Sequence, residues 1–100
     1  MQRSEPVAFS AISVLEIGIL AGDRRLKLNR TIQEIFDELQ SNPLFRILPL
    51  TYEIAEDAGS LGNLRDPADR AIVATARVHR LRLVTSDQRI IESKLVPVVT

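Results

Sequence analysis

The chain is one hundred residues long, the size of one small domain that buries about two thirds of its unfolded surface. Thirteen Lys and Arg cancel thirteen Asp and Glu, so no global positive field recruits nucleic acid and any such contact is local. Absence of cysteine excludes disulfides and thiolate metal sites; no apolar run spans a bilayer and the first six residues carry no signal-like stretch, so a cytoplasmic protein is expected.

Val7, Ala8 and Phe9 follow Pro6 as a short apolar run, a strand that Ser10 closes. A helix then runs to about Ala21, apolar on nearly every side, and such a helix is expected to be buried. Glu16 is the one charge inside it. Either Ser13 and Glu16 form a capping box, or the helix starts at Ser10 and leaves Glu16 enclosed at mid-helix, in need of a cation. The second arrangement is favoured, because Ala11 and Ile12 suit a helix.

Gly22 and Asp23 end that helix. Arg24, Arg25, Lys27 and Arg30 make a basic connection able to touch phosphate, though such runs more often form a solvated loop. Ile32, Ile35, Phe36 and Leu39 mark a surface helix from Thr31 to Gln40, stopped by Ser41-Asn42-Pro43. Phe45 to Leu50 reads as a strand. Thr51 caps a short helix that uses Ile54, Ala55 and Ala58, and Gly59, Gly62 and Asn63 form the loop beyond it.

Asp66-Pro67-Ala68-Asp69 announces the next helix: Asp66 is a good N-cap, and Pro67 at the first helical position loses nothing by lacking an N–H. Asp69 shares a face with Ile72, Val73 and Ala76, so a carboxylate tops an apolar stripe near the interior. The simpler explanation is attraction to the positive helix end. His79 lies late in this helix and reads as a surface residue, having no second His or Cys to complete a ligand set. Leu83-Val84-Thr85 is a strand ending at Ser86-Asp87. Asp87 also suits the cap of a short helix, Gln88 to Ser93. Val96 to Val99 is a last strand, with Pro97 suggesting an edge.

This alternation argues an α/β fold with a mainly parallel sheet, where ligands bind beyond the carboxyl ends of the strands. Glu16 follows the first strand, Asp87 ends the third, and Asp69 opens the helix feeding it. If the three converge, their repulsion raises their pKa values unless a divalent cation neutralises them. Oxygen-only ligands of this kind suit Mg²⁺ or Mn²⁺, which polarise a phosphoryl oxygen and activate water.

Four segments taken together, Ser10 to Ile17, Phe45 to Leu50, Asp66 to Ala76 and Leu83 to Asp87, resemble a PIN-domain ribonuclease, most of all the VapC-type toxins of bacterial toxin–antitoxin pairs. The resemblance runs in order over nearly the whole of residues 1–100. It implies a three-layer α/β/α PIN-like domain with Glu16, Asp69 and Asp87 as metal-binding catalytic acids. Thr85 matches the hydroxyl residue that accompanies the site, and Asp66 and Ser13 would support it. Such proteins cleave RNA with Mg²⁺ or Mn²⁺, leave 5′-phosphate and 3′-hydroxyl ends, and are held inactive by a cognate antitoxin. Arg70, Arg24 and Arg25 are the candidate RNA-gripping residues.

The family opens on a strand carrying a further acidic residue, and this sequence has no counterpart to it. In the family's sheet order that strand is central, so Val7–Phe9 and Leu83–Thr85 are each expected to lack a partner on one side. A homodimer and a weakened metal site are the expected consequences. The rival from another class is a non-catalytic PIN-like module that binds an antitoxin or itself. A receiver-like phospho-acceptor does not fit, because that chemistry wants a Lys closing a later strand and Asp87, not Lys, directly follows Leu83–Ser86.

Overall fold

The computed structural model describes residues 7–23 and 29–99, so Arg24 and Arg25 lie outside the described residues. Two compact units divide the chain, residues 1–49 and 50–100.

The first unit contains β1 (Val7–Ser10), α1 (Ala11–Gly22), α2 (Ile32–Ser41) and β2 (Phe45–Leu48). β1 and β2 pair in parallel, Val7 opposite Phe45 and Ser10 opposite Leu48. Across the pair, the rings of Phe9 and Phe45 meet edge to face with centroids 5.8 Å apart, the arrangement aromatic quadrupoles favour. Pro49 follows the last paired residue, so β2 stops two residues short of the predicted Leu50.

Ser10 is the N-cap of α1, its Oγ accepting from the Ile12 amide at 3.2 Å. Glu16 therefore lies at mid-helix, and the alternative Ser13–Glu16 capping box is excluded. Ser13 sits half-buried inside the first turn. Two expectations fail. No residue of α1 is buried, with Leu15 and Ile19 more than half exposed, and Glu16 is exposed rather than enclosed. An apolar sequence states what a helix is able to bury, whereas burial needs neighbours. The ring of Phe36 on α2 lies beside Gly18, 3.8 Å from where a Cβ would stand, an ordinary contact distance. A capping box opens α2: Thr31 Oγ1 accepts from the Glu34 amide at 3.2 Å, and Glu34 Oε1 accepts from the Thr31 amide at 2.9 Å. These bonds satisfy two of the free first-turn donors, and donation from the Thr31 amide and hydroxyl holds the Glu34 carboxyl below its usual pKa.

The second unit contains α3 (Tyr52–Gly59), α4 (Pro67–Val78), β3 (Leu83–Val84), α5 (Gln88–Ser93) and β4 (Val98–Val99). β3 and β4 pair in parallel, Leu83 opposite Val98. Both pairings are parallel, as the α/β reading expects. The core gathers Ile54, Leu61, Leu64, Val73, Ala74, Ala76, Ile90 and Val96. Leu61 and Leu64 belong to the segment read only as a loop, and they are buried because it folds back over α4. Val73 is fully enclosed, as the Asp69 stripe predicted.

Arg77 ties the end of α4 to its surroundings. Its guanidinium donates to both Asp57 oxygens on α3, at 2.8 and 3.2 Å, and to the Leu95 carbonyl at 2.9 Å. α4 closes with Arg80 at φ 56° and a bond from the Leu81 amide to the Ala76 carbonyl, 2.8 Å. That left-handed position usually takes glycine. Among the described residues no helix is long and apolar enough to cross a membrane.

Candidate functional site

The second unit carries two of the three predicted acids, and local chemistry positions both. Asp66 caps α4, its Oδ1 accepting from the amides of Ala68 at 2.8 Å and Asp69 at 3.4 Å. This fixes the first turn and, with it, Asp69 at the third helical position. Asp69 is half-buried, and no hydrogen bond reaches its carboxylate among the described residues. Its pKa is raised, first by desolvation, then by the charges of Asp66 and Asp87, while Arg89 acts the other way. A partly desolvated carboxylate without a donor, beside two like charges, is a place where a cation is favoured.

Asp87 is held from both sides in sequence. Its amide donates to Thr85 Oγ1 at 3.0 Å, and the Thr85 amide donates to the Val99 carbonyl at 3.2 Å. The predicted hydroxyl residue thus orients the backbone of the predicted acid. Asp87 is also the N-cap of α5: Oδ1 accepts from the Arg89 amide at 2.9 Å. Oδ2 stands 3.4 Å from Arg89 Nη2. Hydrogen bonds from Arg89 are the main reason the Asp87 carboxyl is held below its usual pKa.

Arg89 was missed in the sequence. The available signal was a guanidinium two residues after a capping Asp, and that signal is common on surfaces. Arg70, predicted to grip phosphate, donates from Nε to the Leu64 carbonyl at 2.5 Å and is half-buried, so part of its head supports the loop before α4. In the first unit Arg30 pairs with Glu38 at 2.5 Å, while Glu16 projects from the middle of α1 with its side chain exposed.

Within either unit, no three acidic or histidine side chains among the described residues gather closely enough to cage a metal. Asp69 and Asp87 nonetheless fit Mg²⁺ or Mn²⁺, because such ions use one or two carboxylates and complete their shell with water and substrate oxygens. A shallow cavity of about 600 Å³ lies at the other end of α4, lined by Glu53, Asp57, Arg77, Arg80 and Arg82 among others, and contains neither acid.

The chain is similar to known proteins of one family. The PIN-domain family model matches residues 1–94. Ribonuclease VapC22 of Mycobacterium tuberculosis is 34% identical over 92 residues, which cover 90% of this chain and 69% of the relative. Among solved structures, a toxin–antitoxin complex from Klebsiella pneumoniae superposes with a TM-score of 0.71 at 27% identity, covering 93% of this chain and 72% of that one. FitAcB from Neisseria gonorrhoeae gives 0.66 at 29% identity, covering 99% and 78%. FitAB bound to an IR36 DNA fragment gives 0.62 at 31% identity, covering 98% and 75%.

Proposed function

The chain belongs to the PIN-domain family, and we propose that it is a VapC-type endoribonuclease toxin that hydrolyses RNA phosphodiester bonds with Mg²⁺ or Mn²⁺. PIN-domain ribonucleases are generally dependent on divalent metal. The observation that carries the proposal is Asp69, a half-buried carboxylate with no donor among the described residues, its pKa raised in part by the charge of Asp87. Asp69 and the Oδ2 of Asp87 would hold the ion, directly or through water. When bound, the ion polarises a phosphoryl oxygen and lowers the pKa of its water. Asp66 and Thr85 keep the two acids in place through the bonds described above. Arg70, Arg24 and Arg25 are proposed to grip RNA phosphates.

Similarity to the Klebsiella toxin–antitoxin complex supports a cognate antitoxin as partner. Exposed Leu15, Ile19 and Leu20 on α1 support association with a second copy. The same exposure favours one rival, a non-catalytic module that binds protein and cuts nothing. No membrane partner is proposed, and the site of action is the cytoplasm.

Cleavage of RNA in Mn²⁺ by the wild type and by Asp69→Asn separates the two. The nuclease reading expects cleavage by the wild type and a loss of at least about a hundredfold in the variant, the scale of a removed metal-site interaction. Equal cleavage by both, or none by either, removes the enzyme and leaves the binding module.

A further inference from the structure

Asp66 and Asp69 open α4 and Asp87 caps α5 in the second unit, and the charge of one guanidinium reaches each of them. That guanidinium is Arg89, whose Nη2 is 3.4 Å from Asp87 Oδ2 while its own amide donates to Asp87 Oδ1 at 2.9 Å. Both oxygens of Asp87 therefore face groups of the same residue. One of these contacts is backbone and belongs to the α5 cap. The other is a long ion pair on a side chain that is 77% exposed. It can be released without disturbing the helix.

We propose that Arg89 is the resident counter-cation of the acid site, and that a divalent ion binds by displacing its guanidinium from Asp87 Oδ2. The inference rests on the metal site proposed above. Without the ion, Arg89 offsets part of the repulsion among the three acids. Were Asp69 and Asp87 to hold the ion, its like charge would oppose the guanidinium, and the side chain would turn away while the Arg89 amide keeps its bond to Oδ1. Arg89 thus sets a threshold of metal concentration below which the acids stay occupied by the chain's own cation. Its effect on the metal is Coulombic, so it weakens with salt.

Titration of the full chain with Mn²⁺ tests this, followed by calorimetry or by the electron-spin signal of free Mn²⁺. Wild type, Arg89→Gln and Arg89→Lys are compared at ionic strengths of about 0.01 M and about 0.3 M. Arg89→Gln is expected to bind Mn²⁺ about three- to tenfold more tightly at low salt, the scale of one charge acting on a divalent ion near water's dielectric. The difference shrinks at the higher salt, and Arg89→Lys stays close to wild type. Binding by Arg89→Gln that is equal to or weaker than wild type at low salt overturns the displacement while leaving the metal site standing. Absence of saturable binding in both wild type and Arg89→Gln removes the metal site and the displacement together. Saturable binding by Arg89→Gln alone supports the displacement in its strongest form.

Discussion

Asp69→Asn tests the electrostatics of the site without any metal. In the ion-free protein two effects oppose each other at this position. The carboxylate gains from the positive end of α4, an attraction of about 0.3–1 kcal/mol. It loses from desolvation and from the charges of Asp66 and Asp87, and these losses win, because the pKa of Asp69 is raised. An acid whose folded pKa lies above its unfolded value destabilises the fold wherever it is ionised in both states. That penalty is fully present above the folded pKa and vanishes as pH falls below the unfolded one. Asn keeps the helical position and Asp66 keeps the cap. The variant should therefore unfold at a higher urea concentration than wild type at pH 7, in chelator, by up to about 1 kcal/mol, the usual bound for one half-exposed charge. The gain should disappear toward pH 3. If the helix end governed instead, the variant would lose the 0.3–1 kcal/mol at pH 7. A loss of that kind, or a gain that persists unchanged into acid, refutes the reasoning.

Glu34 should show the opposite pH dependence. Its bonds to Thr31 lower its pKa, so its contribution is present above the unfolded pKa and is lost as pH falls through the folded one. Glu34→Gln should lower stability at pH 7 and match wild type in acid, by urea denaturation at each pH. Arg77→Met should cost about 1–2 kcal/mol, less than charged hydrogen bonds give when buried, because its side chain is 35% exposed. A double-mutant cycle with Asp57→Asn should return a coupling of about 0.5–1 kcal/mol. Gly18→Ala should stabilise the chain by about 0.5–1 kcal/mol in thermal or urea unfolding, since its Cβ meets the Phe36 ring only at ordinary contact distance.

The parts of the fold written in local chemistry were legible in the sequence. Asp66 with Pro67 gave the start of α4 to the residue, and Thr31, Thr51 and Asp87 each stand at the start of the helix expected of them. Of the stripe from Asp69 to Ala76, Val73 and Ala76 enter the core, whereas Ile72 stays half-buried and Ala74, outside the stripe, is fully enclosed. What failed depended on residues distant in sequence. Leu61 and Leu64 fill the core from a loop whose glycines suggested only a turn. Arg77 finds Asp57 twenty residues back, a pairing no helical period encodes. α1 was judged by its own composition, and its exposure is decided by its neighbours. Asp87 was read as either cap or ligand, whereas a carboxylate has two oxygens and the structure spends only one on the cap. That division leaves Oδ2 to Arg89, the one site residue the sequence pattern passed over.

The central claim is that Asp69 and Asp87 share one hard cation. A crystal grown with Mn²⁺ and measured at the metal's absorption edge tests it most directly. The account predicts one anomalous peak within about 2.0–2.2 Å of an oxygen of each carboxylate, with the Arg89 guanidinium turned away from Asp87. A peak bound elsewhere, or well-ordered carboxylates with no ion between them at saturating Mn²⁺, contradicts it.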